Sequence, residues 1–246
     1  MALQLGSRTF APSLASLALA LLGIVSVSHL GVWQLGRAAE KRAILEQISA
    51  GESVTRPLVE ADTALPRYQM ASATGHYDGS QQVLLDNMPS LRGMPGYRVL
   101  TPFQLSSGGW ILVDRGWLPM GPSRTSLPSI DVDAQQRTIT GRLDDVPRPG
   151  LRLGAPQTGD GWPRVMNFPQ HADLERVLNR RLGPRIVRLD PEQSDGYERS
   201  FAMRPDFGPN RHIAYAVQWF ALAAAMLAIF VIVNLKPTRH GDSRSI

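Results

Sequence analysis

The chain has 246 residues, enough for one domain with accessories, and no cysteine, which excludes disulfides, thiolate metal sites and thiol redox chemistry. Its formal charge of +5 comes from arginines scattered among Pro, Gly and Asp, with no run or stripe of the kind that tracks nucleic acid, so that class of partner is excluded and a solvated surface near anionic lipid is indicated. Apolar residues make up 43% of the chain and are concentrated at its two ends, leaving a soluble middle.

Residues 10–35 carry no Asp, Glu, Lys or Arg. A secretory signal peptide has an apolar core of about 7–15 residues, so this longer run predicts a retained first transmembrane helix over 10–35. His29 lies at membrane depth within it, and Trp33 sits where an interfacial aromatic belongs. His29 is open to two readings, a functional ionisable group or an imidazole hydrogen-bonded to the other span, and the second is the simpler. The helical pattern runs on through Leu45 and Ile48 toward Gly51, which predicts a stalk continuous with the span. The second apolar run, Ile213 to Leu235, predicts a second span over 213–235, of about 34 Å at about 1.5 Å per residue.

Two crossings put the tails 1–9 and 236–246 on one side of the membrane and residues 36–212 on the other. Arg8, Lys236, Arg239 and Arg244 on the tails nearly balance Arg37, Lys41, Arg42, Arg204 and Arg211 on the domain side, so charge leaves the orientation open.

After a connector over Leu58–Pro66, strand-like runs follow at Tyr68–Tyr77, Gln82–Met88, Tyr97–Leu105, Trp110–Trp117 and Arg137–Leu143, separated by turns such as Asp78-Gly79, Ser107-Gly108-Gly109 and Met120-Gly121-Pro122. Arg148–Gly161 is a Pro/Gly-rich loop. Beyond it a strand at Val165–Phe168, a helix at Ala172–Leu182 and a strand at Arg185–Leu189 precede a Pro-rich approach over Phe201–Pro209. The fold class is therefore a membrane protein in which two transmembrane helices flank a β-rich, α+β domain whose antiparallel sheet curls toward a barrel or sandwich.

Catalytic patterns are missing. There is no GxSxG, Walker, GxGxxG or HExxH motif, and the middle holds only His76 and His171. His76 with Asp78 reads as a solvated strand end and His171 as a helix start. With no nucleophile, base and orienter together, a membrane-tethered hydrolase is disfavoured and no enzymatic activity is expected. Asp114-Arg115-Gly116-Trp117 is open to two readings: a structural corner in which Arg115 holds loop carbonyls while Trp117 packs, or a partner-binding patch.

The entry to the second span concentrates chemistry. His212, Tyr215, Ala216 and Trp219 stand at i, i+3, i+4 and i+7 and share one helix face. His212 is either an interfacial side chain reaching water or an axial ligand to haem iron. In the second case Arg211 and Arg204 are placed to meet the propionates, and Trp219, about 10.5 Å along the axis, can donate its N–H to a polar group at the far edge of the macrocycle.

Five segments together resemble the Surfeit locus protein one family, whose members are assembly factors of haem-copper cytochrome oxidase. They are Gly31-x-Trp33-Gln34-Leu35-x-Arg37-x-x-Glu40-Lys41; Gly75-x-Tyr77; Pro95-Gly96-Tyr97-Arg98-Val99-Leu100-Thr101-Pro102-Phe103; Val113-Asp114-Arg115-Gly116-Trp117-Leu118-Pro119; and Asn210-Arg211-His212-x-x-Tyr215-Ala216-x-Gln218-Trp219-Phe220. The resemblance runs through nearly the whole chain, in order. It implies an inner-membrane protein with its domain in the periplasm, or in the intermembrane space if mitochondrial. The short N-terminus has no Arg- and Ser-rich transit segment, which favours a bacterial protein.

The function it implies is help in delivering or inserting haem a into the oxidase catalytic subunit, with haem a as a transient cofactor. That subunit is the expected partner, haem a synthase a second candidate, and lipid the surroundings. By the resemblance His212 is the axial ligand, Trp219 the partner of the haem's peripheral polar group, and Tyr215 and Arg211 flank the site. Trp33, Gln34, Arg37, Arg115, Gly116 and Trp117 carry over as signature residues without an assigned role. A single His212 suits transfer, whereas a His212/His29 pair suits storage. The rival reading is a membrane-anchored scaffold that stabilises nascent oxidase subunits and binds no haem.

Overall fold

The computed structural model describes residues 3–5, 7–86, 88–90, 92–121, 126–147, 161–200 and 208–237. The loop expected over 148–160, the approach over 201–207 with Arg204, the end of the turn at Pro122, and Arg239 and Arg244 lie outside them. The chain forms two compact units, Leu45–Ala202 and the two ends together, Met1–Ile44 with Met203–Ile246.

In chain order the elements are β1 Leu3–Leu5, β2 Arg8–Phe10, α1 Leu14–Glu52, β3 Arg56–Pro57, β4 Met70–Tyr77, β5 Val83–Leu85, β6 Gly96–Leu105, β7 Trp110–Pro119, β8 Arg137–Asp144, β9 Arg164–Met166, α2 His171–Leu178, β10 Ile186–Leu189, α3 Pro209–Asn234 and β11 Leu235–Pro237. In the central unit β4 pairs with β8, β8 with β10, β10 with β7, β7 with β6, and β6 returns to β4, closing a five-stranded barrel. The short β5 and β9 extend the sheet from β6, and β3 lies against β4. The last strand, β10, is inserted between β7 and β8, parallel to the first and antiparallel to the second. Closure happens at Gly75, which faces Arg137 of β8 and Leu105 of β6. A Cβ there would lie 1.9 Å from the Gln104 carbonyl oxygen, so only glycine lets three strands meet at this corner.

Two apolar clusters follow from strand alternation. Ile111, Val113, Val187 and Leu189 join Ala71, Ala73, Tyr77, Phe103, Ile139 and Leu143 in one. Leu112 and Ile186, one residue out of phase, join Val83, Leu85, Leu100 and Met166 beneath Leu174 and Leu178 of α2. The run Trp110 to Val113 reads as continuously apolar because both faces of β7 are covered. Burial raises the Tyr77 hydroxyl well above its ordinary range, against the pull of Arg115, so the phenol stays neutral.

The expected strands are present, with trimmed ends. Phe168 adopts φ 47° and falls outside β9. The helix expected over Ala172–Leu182 stops at Leu178, because Asn179 takes a left-handed cap conformation whose N–H reaches the carbonyls of Arg176 and Glu175. The end of α1 is tied within the same unit: the Gln69 amide donates to the carbonyls of Gly51 and Val54, and Arg142 pairs with Glu52 at 3.1 Å.

In the terminal unit α1, of 39 residues, and α3, of 26, are both long and apolar enough to cross a membrane. Few of their residues are fully buried, unlike those of a core helix. The first helix starts at Leu14, not at the predicted Phe10, because Pro12 and Ser13 intervene and the Ser13 hydroxyl accepts the Ser16 N–H at 3.1 Å. Phe10 instead belongs to β2, which pairs with β1 and, antiparallel, with β11. Its ring stands edge-on to Phe230 at 5.9 Å. The second helix starts four residues ahead of Ile213, with Pro209 in its first turn, where a missing N–H costs nothing.

Candidate functional site

On α3 the buried apolar positions are Ala216 and Ala223, seven residues apart, so the seam toward α1 runs along the face that carries His212 and Trp219. Opposite it, Gly23 faces Met226 and Gly31 faces Phe220; a Cβ on Gly31 would meet the phenyl ring at 2.8 Å. Small residues here let large ones from the other helix lie on bare backbone.

Three residues beyond Gly31, Gln34 projects onto the same seam. Its Oε1 lies 2.8 Å from His212 Nδ1. His212 is half-buried, and its other ring nitrogen makes no hydrogen bond to any described residue. Tyr215 is 39% exposed, the Arg211 guanidinium stands 5.8 Å over its ring, and Trp219 is half-buried with its indole N–H unbonded among the described residues. These four residues line one helical edge that combines an imidazole, two aromatic faces and a cation.

His29 departs from expectation. It is exposed and makes no hydrogen bond among the described residues, so the predicted pairing with the other span is made by His212 with Gln34 instead. Five residues separate His29 from Gln34, about 140° around the helix at about 100° per residue, which turns the imidazole away from the seam. Trp33, four residues on, is 53% exposed on that same outer side, and Arg37 forms an exposed pair with Glu40 at 2.5 Å.

Gln34 was expected only as a signature residue. The signal for a site role was present: an amide inside an apolar helix needs a partner, and His212 is a polar group at matching depth on the other helix.

In the barrel unit Arg115 is buried and extends along loop carbonyls: Nε donates to Asp195 O at 2.6 Å and Nη1 to Ile130 O at 3.0 Å and Gln82 Oε1 at 3.1 Å. Its guanidinium stands 5.5 Å from the Tyr77 ring centre and 5.0 Å from that of Tyr197. Gly116 has φ 113°, its N–H donates to Asp114, and Asp114 pairs with Arg98 at 2.5 Å. The Trp117 indole donates to Met88 O at 2.7 Å, while its backbone bridges Glu198. The corner reading describes this geometry. Trp117 also lines an open cleft with Arg98, Arg188 and Arg199. Asp78 accepts from the Ser80 hydroxyl and N–H and pairs with Arg180 at 3.0 Å. His171 opens α2, as expected.

The model of the SURF1 family matches residues 21–224. The chain belongs to the SURF1 family. It is 30% identical over 232 residues to an uncharacterised SURF1-like protein of Mycobacterium bovis, a match covering 88% of this chain and 82% of that one. A SURF1-like protein of Monosiga brevicollis is 26% identical, covering 92% and 89%, and Surfeit locus protein 1 of Takifugu rubripes 23% identical, covering 80% and 87%. The matched residues run from Leu21, within the first apolar helix, through the barrel strands to Ala224 of the second.

Proposed function

We propose that this SURF1-family chain is a non-catalytic, membrane-anchored assembly factor of haem-copper cytochrome c oxidase, and that it contacts haem a at His212 while that group passes to the catalytic subunit. In this reading α1 and α3 span a bacterial inner membrane, the barrel lies in the periplasm, and the tails lie in the cytoplasm. Family membership and two exposed apolar helices support the setting. The observation that carries the haem contact is a half-buried imidazole with one ring nitrogen bonded to Gln34 and the other left without a described partner.

The residues present fit a haem. A neutral imidazole nitrogen suits its iron, Tyr215 and Trp219 offer apolar faces within about 10.5 Å of helix from His212, and Arg211 at the mouth matches carboxylates. When bound, the haem would supply an iron that one imidazole nitrogen can ligate. The protein's part is to present one nitrogen, shield the macrocycle with the aromatic faces of Tyr215 and Trp219, and let go. Because His29 is turned away from the seam, the described residues offer no second imidazole beside the first, which suits hand-over rather than storage.

The test is purification in mild detergent from cells that make haem a. A Soret band in wild type that disappears in His212→Ala supports the reading. Its absence in wild type overturns the haem contact and leaves the scaffold, and reporter fusions that place the barrel in the cytoplasm overturn the topology.

A further inference from the structure

We infer that Gln34 is the positioning residue of His212, selecting the tautomer and ring orientation in which the imidazole can ligate iron; the inference rests on the haem reading above. A neutral imidazole carries its proton on one nitrogen and its available lone pair on the other, so a ligating histidine must hold its proton away from the metal. An amide oxygen at 2.8 Å from Nδ1 is satisfied only by Nδ1–H, which leaves the lone pair on Nε2, on the side of the ring turned from Gln34. With the opposite amide orientation the nitrogen of Gln34 would donate to Nδ1, and Nε2–H would have no lone pair to offer. The position of one amide therefore decides whether His212 is a ligand.

The surroundings hold that amide in place. Gln34 lies between Trp33 and Leu35 in an apolar helix, where an amide without a partner is costly. One turn away, Phe220 of α3 rests on the bare backbone of Gly31, which sets the approach of the two helices beside the bond. Oxygen partners on the distal nitrogen of a metal-bound histidine fix its orientation and raise its basicity. Here a neutral amide takes that position, giving orientation with little added basicity, as suits a ligand that must release its iron.

The test uses the full-length protein in lipid nanodiscs, with ¹⁵N-labelled histidine and His212→Ala to assign the signal. Wild-type His212 is expected to be protonated at Nδ1, and Gln34→Leu, which is more apolar and so compatible with insertion, to relax toward the Nε2–H form. Titration with purified haem a is expected to show a Kd raised roughly 10–100-fold in Gln34→Leu and retained tight binding in Gln34→Glu, whose carboxylate accepts the same proton. Protonation of wild-type His212 at Nε2, or wild-type haem affinity in Gln34→Leu, overturns the role of Gln34 and leaves the haem reading intact. A wild type that takes up no haem a refutes that reading and the ligand role built on it.

Discussion

Replacing Arg115 by Leu separates a structural corner from a binding patch. The guanidinium makes three hydrogen bonds of 3.1 Å or less, to Asp195 O, Ile130 O and Gln82 Oε1, and the side chain is buried. Hydrogen bonds involving a charged group contribute about 1.5–3 kcal/mol each, but removing a buried charge also recovers its desolvation, so the three do not simply add. Leucine leaves those three neutral oxygens without their donor and vacates the space beside Tyr77 and Tyr197; at about 1–3 kcal/mol for each buried acceptor left unsatisfied, a total of about 3–5 kcal/mol is expected. For a unit of this size that lowers Tm by about 10 °C. Thermal unfolding of the full chain in detergent, followed by near-UV circular dichroism, measures it. Arg115→Lys should recover little, because a single ammonium cannot reach donors' positions on both sides of the fork. A leucine variant within about 1 kcal/mol of wild type that nevertheless fails to support oxidase maturation would refute the structural account and favour the partner-binding one.

Gly116→Ala should lose about 2 kcal/mol or more, since φ is 113° and the new Cβ would meet Arg199 Cγ at 2.6 Å and Glu198 O at 2.9 Å; urea unfolding measures it. Gly31→Val should part the helices at Phe220, where the Cβ clearance is 2.8 Å, and abolish the His212 tautomer preference, with partial recovery when Phe220→Ala is added. Asp78→Asn should be destabilising at neutral pH only. Burial opposes ionisation of Asp78, but the Ser80 hydroxyl, the Ser80 N–H and Arg180 outweigh it and hold the carboxyl below its ordinary value. A depressed folded-state value stabilises above the unfolded pKa of about 3.9 and is lost as pH falls through the folded one, so wild type and variant should converge in acid.

The barrel strands were legible because alternation and turn residues mark them, and because β6 and β7 are long. Their closure was not. Nothing local tells that Gly75 serves two neighbours or that the four residues of β10 enter between strands more than 40 positions earlier in the chain, since register is decided by long-range packing. The pairing of β2 with β11 was hidden for a similar reason: three-residue strands carry no periodic signal. At the site, helical spacing sufficed to put His212, Tyr215 and Trp219 on one face. It could not say that this face turns to the first helix, and so it offered His29 and not Gln34 as the polar neighbour. Interhelical azimuth depends on which small residues meet, here Gly31 beneath Phe220.

The position of β10 bears on how the chain is made. A ribosome has released about nine-tenths of the barrel unit before Ile186 emerges, yet until that strand arrives β7 and β8 each present an open edge, ready to pair with another nascent chain. The wedge comes last, shortly before the second apolar helix. A chain ended by a nonsense codon just ahead of it would therefore lack both its keystone and its second apolar helix, and would be fit only for proteolysis despite carrying most of its core.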